Sequence, residues 1–188
     1  FGPFLAVWVL MYFSLDWHYG ITLGLAVLNA FFLVRIFIIQ HDCGHQSFFD
    51  SKKLNNAVGL VCSFFSTMPY RYWARSHAFH HSHCGQLEMD VRDIGDVHVK
   101  TVEEFRALSP FRKFGYRVYR SMPVMLVFGP IYYTGILMRF PVINKDGWKK
   151  TRLSQVFNNV YMYLIWALLA VTLGWKKFFL VQVPIIFL

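Results

Sequence analysis

The stretch Gln40 to Asp50, QHDCGHQSFFD, places His41 and His45 four residues apart directly after an apolar run. If that run continues as a helix, both imidazoles face the same way. A second cluster, His77, His80 and His81 in SHAFHHSHCG, repeats the geometry with i, i+3 and i+4 spacing, so its members also project from one helical face. Two such faces can hold metal between them. Imidazole suits iron, copper and zinc, whereas harder ions want carboxylates, and only Asp42 and Asp50 lie close by.

The elements that must position these histidines are apolar. With 56% hydrophobic and only 15% charged residues, and a mean hydropathy of +0.39, the chain reads as an all-α integral membrane protein. Phe1 to Leu15 is apolar but short for a span, Asp16 to Gly20 makes a tight polar turn, and Ile21 to Gln40 has the length of a bilayer crossing. Asn29 and Arg35 interrupt that second run, and Arg35 can snorkel to the nearer interface. Residues 1–40 thus form a transmembrane hairpin that delivers His41 and His45 at its exit, not at its midpoint.

Residues 41–121 are polar to mixed and rich in Lys and Arg from Lys52 to Arg120, which predicts a cytoplasmic region by the positive-inside rule. Within it, Leu54 to Met68 reads as an interfacial or hairpin segment returning Tyr70 to His83 to the face of the first cluster. Glu88 to Ser109 reads as a charged surface loop with a short helix at Val102 to Leu108 capped by Thr101. Residues 122–188 are membrane segments. In Met122 to Phe140 the pair Gly129-Pro130 predicts a break, hence a bent, re-entrant or interfacial piece, and Arg139, Lys145, Lys149, Lys150 and Arg152 after it again indicate the cytoplasm. Asn158 to Gly174 then crosses outward, Trp175-Lys176-Lys177 turns, and Phe178 onward returns; two lysines in an outer turn count against this topology. Phe1 and Leu188 both fall inside apolar runs, so we expect a single domain over 1–188 truncated at both ends.

The formal charge of +9 does not indicate nucleic acid, because the basic residues cluster between apolar runs and form no basic recognition motif. Cys43, Cys62 and Cys84 show no paired spacing and fit a reduced environment.

These residues resemble the integral-membrane fatty acid desaturases. HDCGH at His41 to His45, followed by SFF, is similar to the first histidine box of the Δ12/ω-6 acyl-lipid group. Pro69, Trp73, Arg75 and His77-Ala-Phe-His80-His81 resemble the H-x-x-H-H second box with its lead-in. Asp93-Ile-Gly-Asp96, the basic run FRKFGYRVYR and Phe128-Gly129-Pro130 resemble bacterial members. The third box, another H-x-x-H-H, is absent and is expected beyond Leu188, so residues 1–188 alone should be inactive. The resemblance implies transmembrane hairpins with a cytoplasmic histidine-box cap and a non-haem di-iron centre with His41, His45, His77, His80 and His81 among its ligands. It also implies an acyl-lipid substrate, dioxygen, and an electron donor of the ferredoxin or cytochrome b5 type.

Blander readings compete with these. A lone membrane-edge histidine is more often interfacial than a ligand, yet five histidines in two spaced clusters fit that account badly. His83 falls outside the matching motif, and it and Cys84 read as surface or supporting residues. His18 and His98 read as solvent or interface residues, while Asp42 and Asp96 can orient ligand histidines through the free ring nitrogen. The alternatives to a desaturase are a di-iron membrane hydroxylase acting on carotenoid or alkyl substrates, and a non-enzymatic b-type haem anchor for electron transfer. The HDCGH box favours desaturation over hydroxylation. A haem anchor needs histidines facing each other within spans, whereas these stand at helix ends.

Overall fold

The fold is that of a computed structural model describing residues 1–87, 92, 94, 95, 97–143 and 146–187. Its described residues are helical, with no strand among them. Helix α1 (Gly2–Ser14) carries Pro3 in its first turn, where a missing N–H costs nothing. After a turn at residues 15–17, His18 caps α2 (Tyr19–Gly44), its Nδ1 accepting from the Gly20 amide at 3.0 Å. The predicted turn therefore ends at His18, which acts as a helix cap and not merely as an interface residue.

Helix α2 and α8 (Lys149–Leu173) are the two described helices long and apolar enough to cross a membrane. Their 26 and 25 residues extend about 39 and 37 Å, beyond the roughly 30 Å of a hydrocarbon core. Only 22% of each apolar window is buried, which a soluble core helix would not show. The polarity runs inside out. Asn29, Gln40, Asn55, Gln155, Asn158 and Asn159 are buried, while Phe31, Leu164, Leu168 and Val171 are exposed. Such a surface loses nothing in lipid, and amides that find partners inside lose nothing there either.

Ser51 caps α3 (Lys52–Ser66), which ends at Thr67 in the left-handed region with φ 59°. Pro69 then leads into α4 (Tyr70–His83). The apolar segment predicted at Leu54 to Met68 is thus the helix that turns the chain back. Its seat against α4 is tight: a Cβ on Gly59 would stand 2.3 Å from the Tyr70 ring. Asn158 of α8 locks the same corner, its Oδ1 accepting from Tyr70 N at 3.2 Å and Ser63 Oγ at 3.0 Å.

Helix α5 (Val102–Ala107) has the predicted Thr101 cap, completed as a capping box by Glu104. Arg92 donates to Glu104 at 2.7 and 3.0 Å and holds that carboxyl down at about 2. FRKFGYRVYR, read only as a basic run, is a helix, α6 (Pro110–Tyr119), capped by Ser109. The predicted break at Gly129-Pro130 is not a break. Residues 124–137 keep right-handed backbone through π-helical Val124–Phe128, α7 (Gly129–Tyr132) and π-helical Tyr133–Leu137. Widened turns on either side accommodate a proline ring that would collide with the carbonyl four residues back. At about 20 Å the segment is shorter than the roughly 30 Å of a hydrocarbon core.

Two further expectations need correction. Trp175, Lys176 and Lys177 do not form the turn; Gly174, at φ 87°, makes it alone and α9 (Trp175–Phe187) begins at once. Lys177 pairs with Asp16 at 2.5 and 2.8 Å, so the α1–α2 and α8–α9 turns meet and one of the two awkward lysines is neutralised. Arg139 is no free topology signal: it donates to Thr134 O and Asn159 Oδ1, each at 2.8 Å, and to Thr67 O. It thereby ties the α3–α4 turn and the π-helical segment to α8. Lys145 lies outside the described residues.

Candidate metal centre

The centre forms where the last turn of α2 meets the C-terminal half of α4. His41, His45 and His77 present ligand atoms all within 4.8 Å of one another. The Nε2 atoms of His41 and His77 are 3.1 Å apart, and His81 Nε2 stands 3.1 Å from His77 Nε2. Ring centroids of His45 lie 4.6, 5.1 and 5.2 Å from those of His41, His77 and His81.

Elementary proton counting shows what this convergence wants. Asp42 Oδ1 accepts from His41 Nδ1 at 3.0 Å, which leaves His41 Nε2 as a bare lone pair. His77 Nε2 has room for at most one proton, yet faces two other ring nitrogens at 3.1 Å. An electron-poor centre satisfies all of these lone pairs at once. Two imidazoles bound to one ion at about 2.1 Å each, near a right angle, come to about this separation. The donor set therefore fits a borderline transition-metal ion such as iron. His77 is also held neutral: burial, then the charges of His81, His41, His45 and His80, bring its pKa down to about 4. Burial and the His41 and His81 charges lower His45 in the same direction. Neutral imidazole is the form that ligates.

Several residues hold the two faces in register. Helix α2 ends in a Schellman motif, with Gln46 at φ 59°, Gln46 N donating to Cys43 O and Ser47 N to Asp42 O, both at 3.0 Å. This is why His45 stays on the helical face although the helix stops there. Tyr70 OH donates to Cys43 O at 2.8 Å, joining the start of α4 to that terminus. Trp73 stacks on His77 at 4.6 Å and 18°, closing the inner side of the cluster. Arg75 donates to Gly147 O at 3.0 Å and Thr151 Oγ1 at 2.8 Å and lies 4.9 Å over Trp148, which anchors α4 to the start of α8. Gln46, Tyr70 and Trp148 were not legible as site residues, because their roles depend on which turns the fold brings together.

Not every predicted site residue joins the close group. The His80 ring is 6.2 Å from His77 and 5.6 Å from His81; a Cβ on Gly95 would sit 3.1 Å from its Cβ. His83 stacks on Phe79 at 3.9 Å and bonds back to Ser82 and the Phe79 carbonyl, away from the cluster. Cys84 is exposed. His98 Nε2 lies 2.9 Å from Lys100 Nζ. Asp96 lies outside the described residues, as does Asp93.

The fatty acid desaturase family model matches residues 15–188, and the chain belongs to that family. It is 42% identical over 186 residues to a fatty acid desaturase of Bacillus subtilis (strain 168), covering 98% of this chain and 51% of that protein. It is 35% identical over 96 residues to a probable fatty acid desaturase of Sorghum bicolor, 51% of this chain and 23% of that one. A Delta(12)-fatty-acid desaturase of Arabidopsis thaliana is 45% identical over 58 residues, covering 31% of this chain and 15% of the plant protein. The chain thus spans 51% of the bacterial relative's length and smaller shares of the plant ones. No solved structure matches it.

Proposed function

We propose that this chain carries the first two histidine boxes of a membrane fatty acid desaturase, which inserts a cis double bond into a lipid-linked acyl chain at the Δ12 (ω-6) position. The observation that carries the reading is the convergence of His41, His45 and His77, with His81 beside them, at the polar end of an apolar bundle. Of the five box histidines, His41, His45, His77 and His81 would hold non-haem iron directly in this arrangement. His80, in the same box but outside the close group, would serve a second iron of a di-iron centre. Bound iron supplies, with dioxygen, the oxidising power to remove two hydrogens from unactivated methylenes, using electrons from a ferredoxin or cytochrome b5-type carrier.

The protein's own residues do the rest. Asp42 keeps the His41 proton on Nδ1, Trp73 walls His77 from the bundle side, and desolvation keeps His77 free of a proton at neutral pH. The basic bias of residues 52–120 orients the centre to the cytoplasm, where a soluble or peripheral electron carrier has access, while acyl chains enter from the hydrocarbon. The Δ12 position is this reading's own assignment, taken from the HDCGH box and its flanks.

The test uses the full-length natural protein, purified without oxygen. We expect two non-haem irons, one new double bond at Δ12 by mass spectrometry of cellular lipids, and loss of product when any of the five histidines becomes alanine. A haem spectrum, a hydroxylated product or an active box variant overturns the reading.

A further inference from the structure

Helix α6 is packed against its neighbours by one side only, and the side left over is apolar. At 100° per residue, Phe111, Phe114 and Val118 fall within an arc of about 60°, with Arg112, Lys113, Arg117 and Arg120 spread over the remainder. No residue of the helix is buried, and Phe111 and Phe114 are 83% and 64% exposed. The opposite side is tethered: Tyr116 OH accepts from Lys100 N at 3.1 Å and Tyr119 OH from His98 N at 3.2 Å. Phe105 of α5 packs on Tyr116 at 5.7 Å and receives Arg117 over its face at 5.7 Å. The apolar arc therefore points away from the protein because the polar tyrosine side is held to it.

Two observations identify what covers that arc. From Phe105 to Lys145 the sequence contains no Asp or Glu, while Arg106, Arg112, Lys113, Arg117 and Arg120 all precede Met122; the complementary partner is anionic. The apolar arc also runs on, through Met122 at 72% exposed, into Leu126, Val127 and Phe128 of the 124–137 segment. A partner that is apolar within and negatively charged at its surface meets both conditions.

We propose that α6 lies in the headgroup layer of an anionic bilayer, with Phe111, Phe114 and Val118 among the acyl chains and Arg112, Lys113 and Arg117 at lipid phosphates. This rests on the membrane reading above. It makes α6 a float that sets the depth of the 97–107 segment, through the two tyrosine hydroxyls, relative to the bilayer surface. Interfacial helices of this kind seat their apolar face about 5–10 Å into the headgroup and acyl boundary.

The test is site-directed spin labelling of the full-length protein in nanodiscs of phosphatidylcholine with phosphatidylglycerol. Starting from a Cys84→Ser background, single nitroxides go on Phe111→Cys, Phe114→Cys, Arg112→Cys and, as a control on the outer face of α2, Phe31→Cys. Expected are collisions with oxygen at 31, 111 and 114 and with an aqueous nickel chelate at 112. Neutralising Arg112, Lys113 and Arg117 to Gln together should weaken the protein's preference for spin-labelled phosphatidylglycerol over phosphatidylcholine, each contact being worth about a factor of five. If position 31 is in lipid but 111 and 114 meet the nickel chelate as 112 does, the face serves a protein partner such as an acidic electron carrier and the proposal fails. An unchanged lipid preference in the Gln variant also overturns it. Position 31 in water would sink the membrane reading itself.

Discussion

Replacing Gly59 by alanine tests the corner that sets α4 against α3. The added Cβ would stand 2.3, 2.4 and 2.7 Å from three atoms of the Tyr70 ring, against an ordinary carbon contact of about 3.5–4.0 Å. The ring cannot swing aside, since Tyr70 is 2% exposed, its OH bonds Cys43 O at 2.8 Å and its amide bonds Asn158 Oδ1 at 3.2 Å. Overpacking of this kind costs about 1–3 kcal/mol, and a rigid ring places it at the upper end. Alanine recovers about 1 kcal/mol of helix propensity, so Gly59→Ala should destabilise the protein by about 2 kcal/mol. In a Tyr70→Ala background the clash is gone and only the propensity remains, so the same substitution should stabilise by up to about 1 kcal/mol. Unfolding of the purified full-length protein, followed by tryptophan fluorescence through all four members of the cycle, gives both signs. A Gly59→Ala effect of the same sign with and without the tyrosine would refute the reasoning. Bound iron should fall in Gly59→Ala as well, because Tyr70 joins the start of α4 to the helix end that bears His41 and His45.

Three further outcomes follow from the site and its surroundings. His77 sits at about 4 against an ordinary 6.5, so the unfolded chain takes up that proton first; its contribution to stability is complete above pH 6.5 and declines as pH falls toward 4. Histidine NMR of the metal-free protein should show one imidazole titrating near the lower value, and a His77 midpoint at or above 6.5 would contradict the burial argument. Asp42→Ala frees His41 Nδ1 and should weaken iron binding about 10- to 100-fold, read by chelator competition; unchanged affinity would remove Asp42 from the centre. Lys177→Ala breaks an exposed pair with Asp16 and should lower stability only slightly at low salt and less at high salt; a large, salt-independent loss would show that the pair does more than join two turns.

What could be read before the fold was known follows from spacing. The i, i+4 and i, i+3, i+4 histidine patterns need only a helix to bring their members to one face, and α2 and α4 supply it. The Thr101 cap with Glu104 three residues on is equally local, and α5 starts where it was expected. Arg139 and Lys177 escaped because each was judged by its charge along the chain. Their actual roles come from partners far away in sequence: Thr67 and Asn159 for Arg139, Asp16 for Lys177. Gly129-Pro130 misled for another reason. A proline rule written for regular α-turns does not foresee that π-turns on both sides can carry the ring without ending the helix. Helix α6 was hidden by its charge, since four basic residues mask an apolar i, i+3, i+7 row. His80 shows the limit of reading a face from spacing alone: it shares the second cluster's i, i+3, i+4 pattern, yet its ring stands 6.2 Å from His77.

The polar residues buried in this bundle are not scattered. Gln40 immediately precedes His41, and its side chain bonds Ser66 Oγ and Met68 O on either side of the α3–α4 turn. Arg139 reaches the Thr67 carbonyl in that same turn, and Asn158 holds the first residue of α4 after it. In an apolar surrounding each of these groups costs several kcal/mol if it loses its partner, so a slip of α4 along α2 by one turn would unmake all of them together. Hydrophobic packing alone tolerates such slips, because one leucine or phenylalanine replaces another. A metal centre would not: two imidazole nitrogens 3.1 Å apart, one on each helix, could no longer share one ion once the register shifts by about 1.5 Å, the rise of one residue. The network around residues 66–70 thus converts an apolar bundle, which would settle for several alignments, into one that delivers His77 to His41, seven residues after the corner it pins.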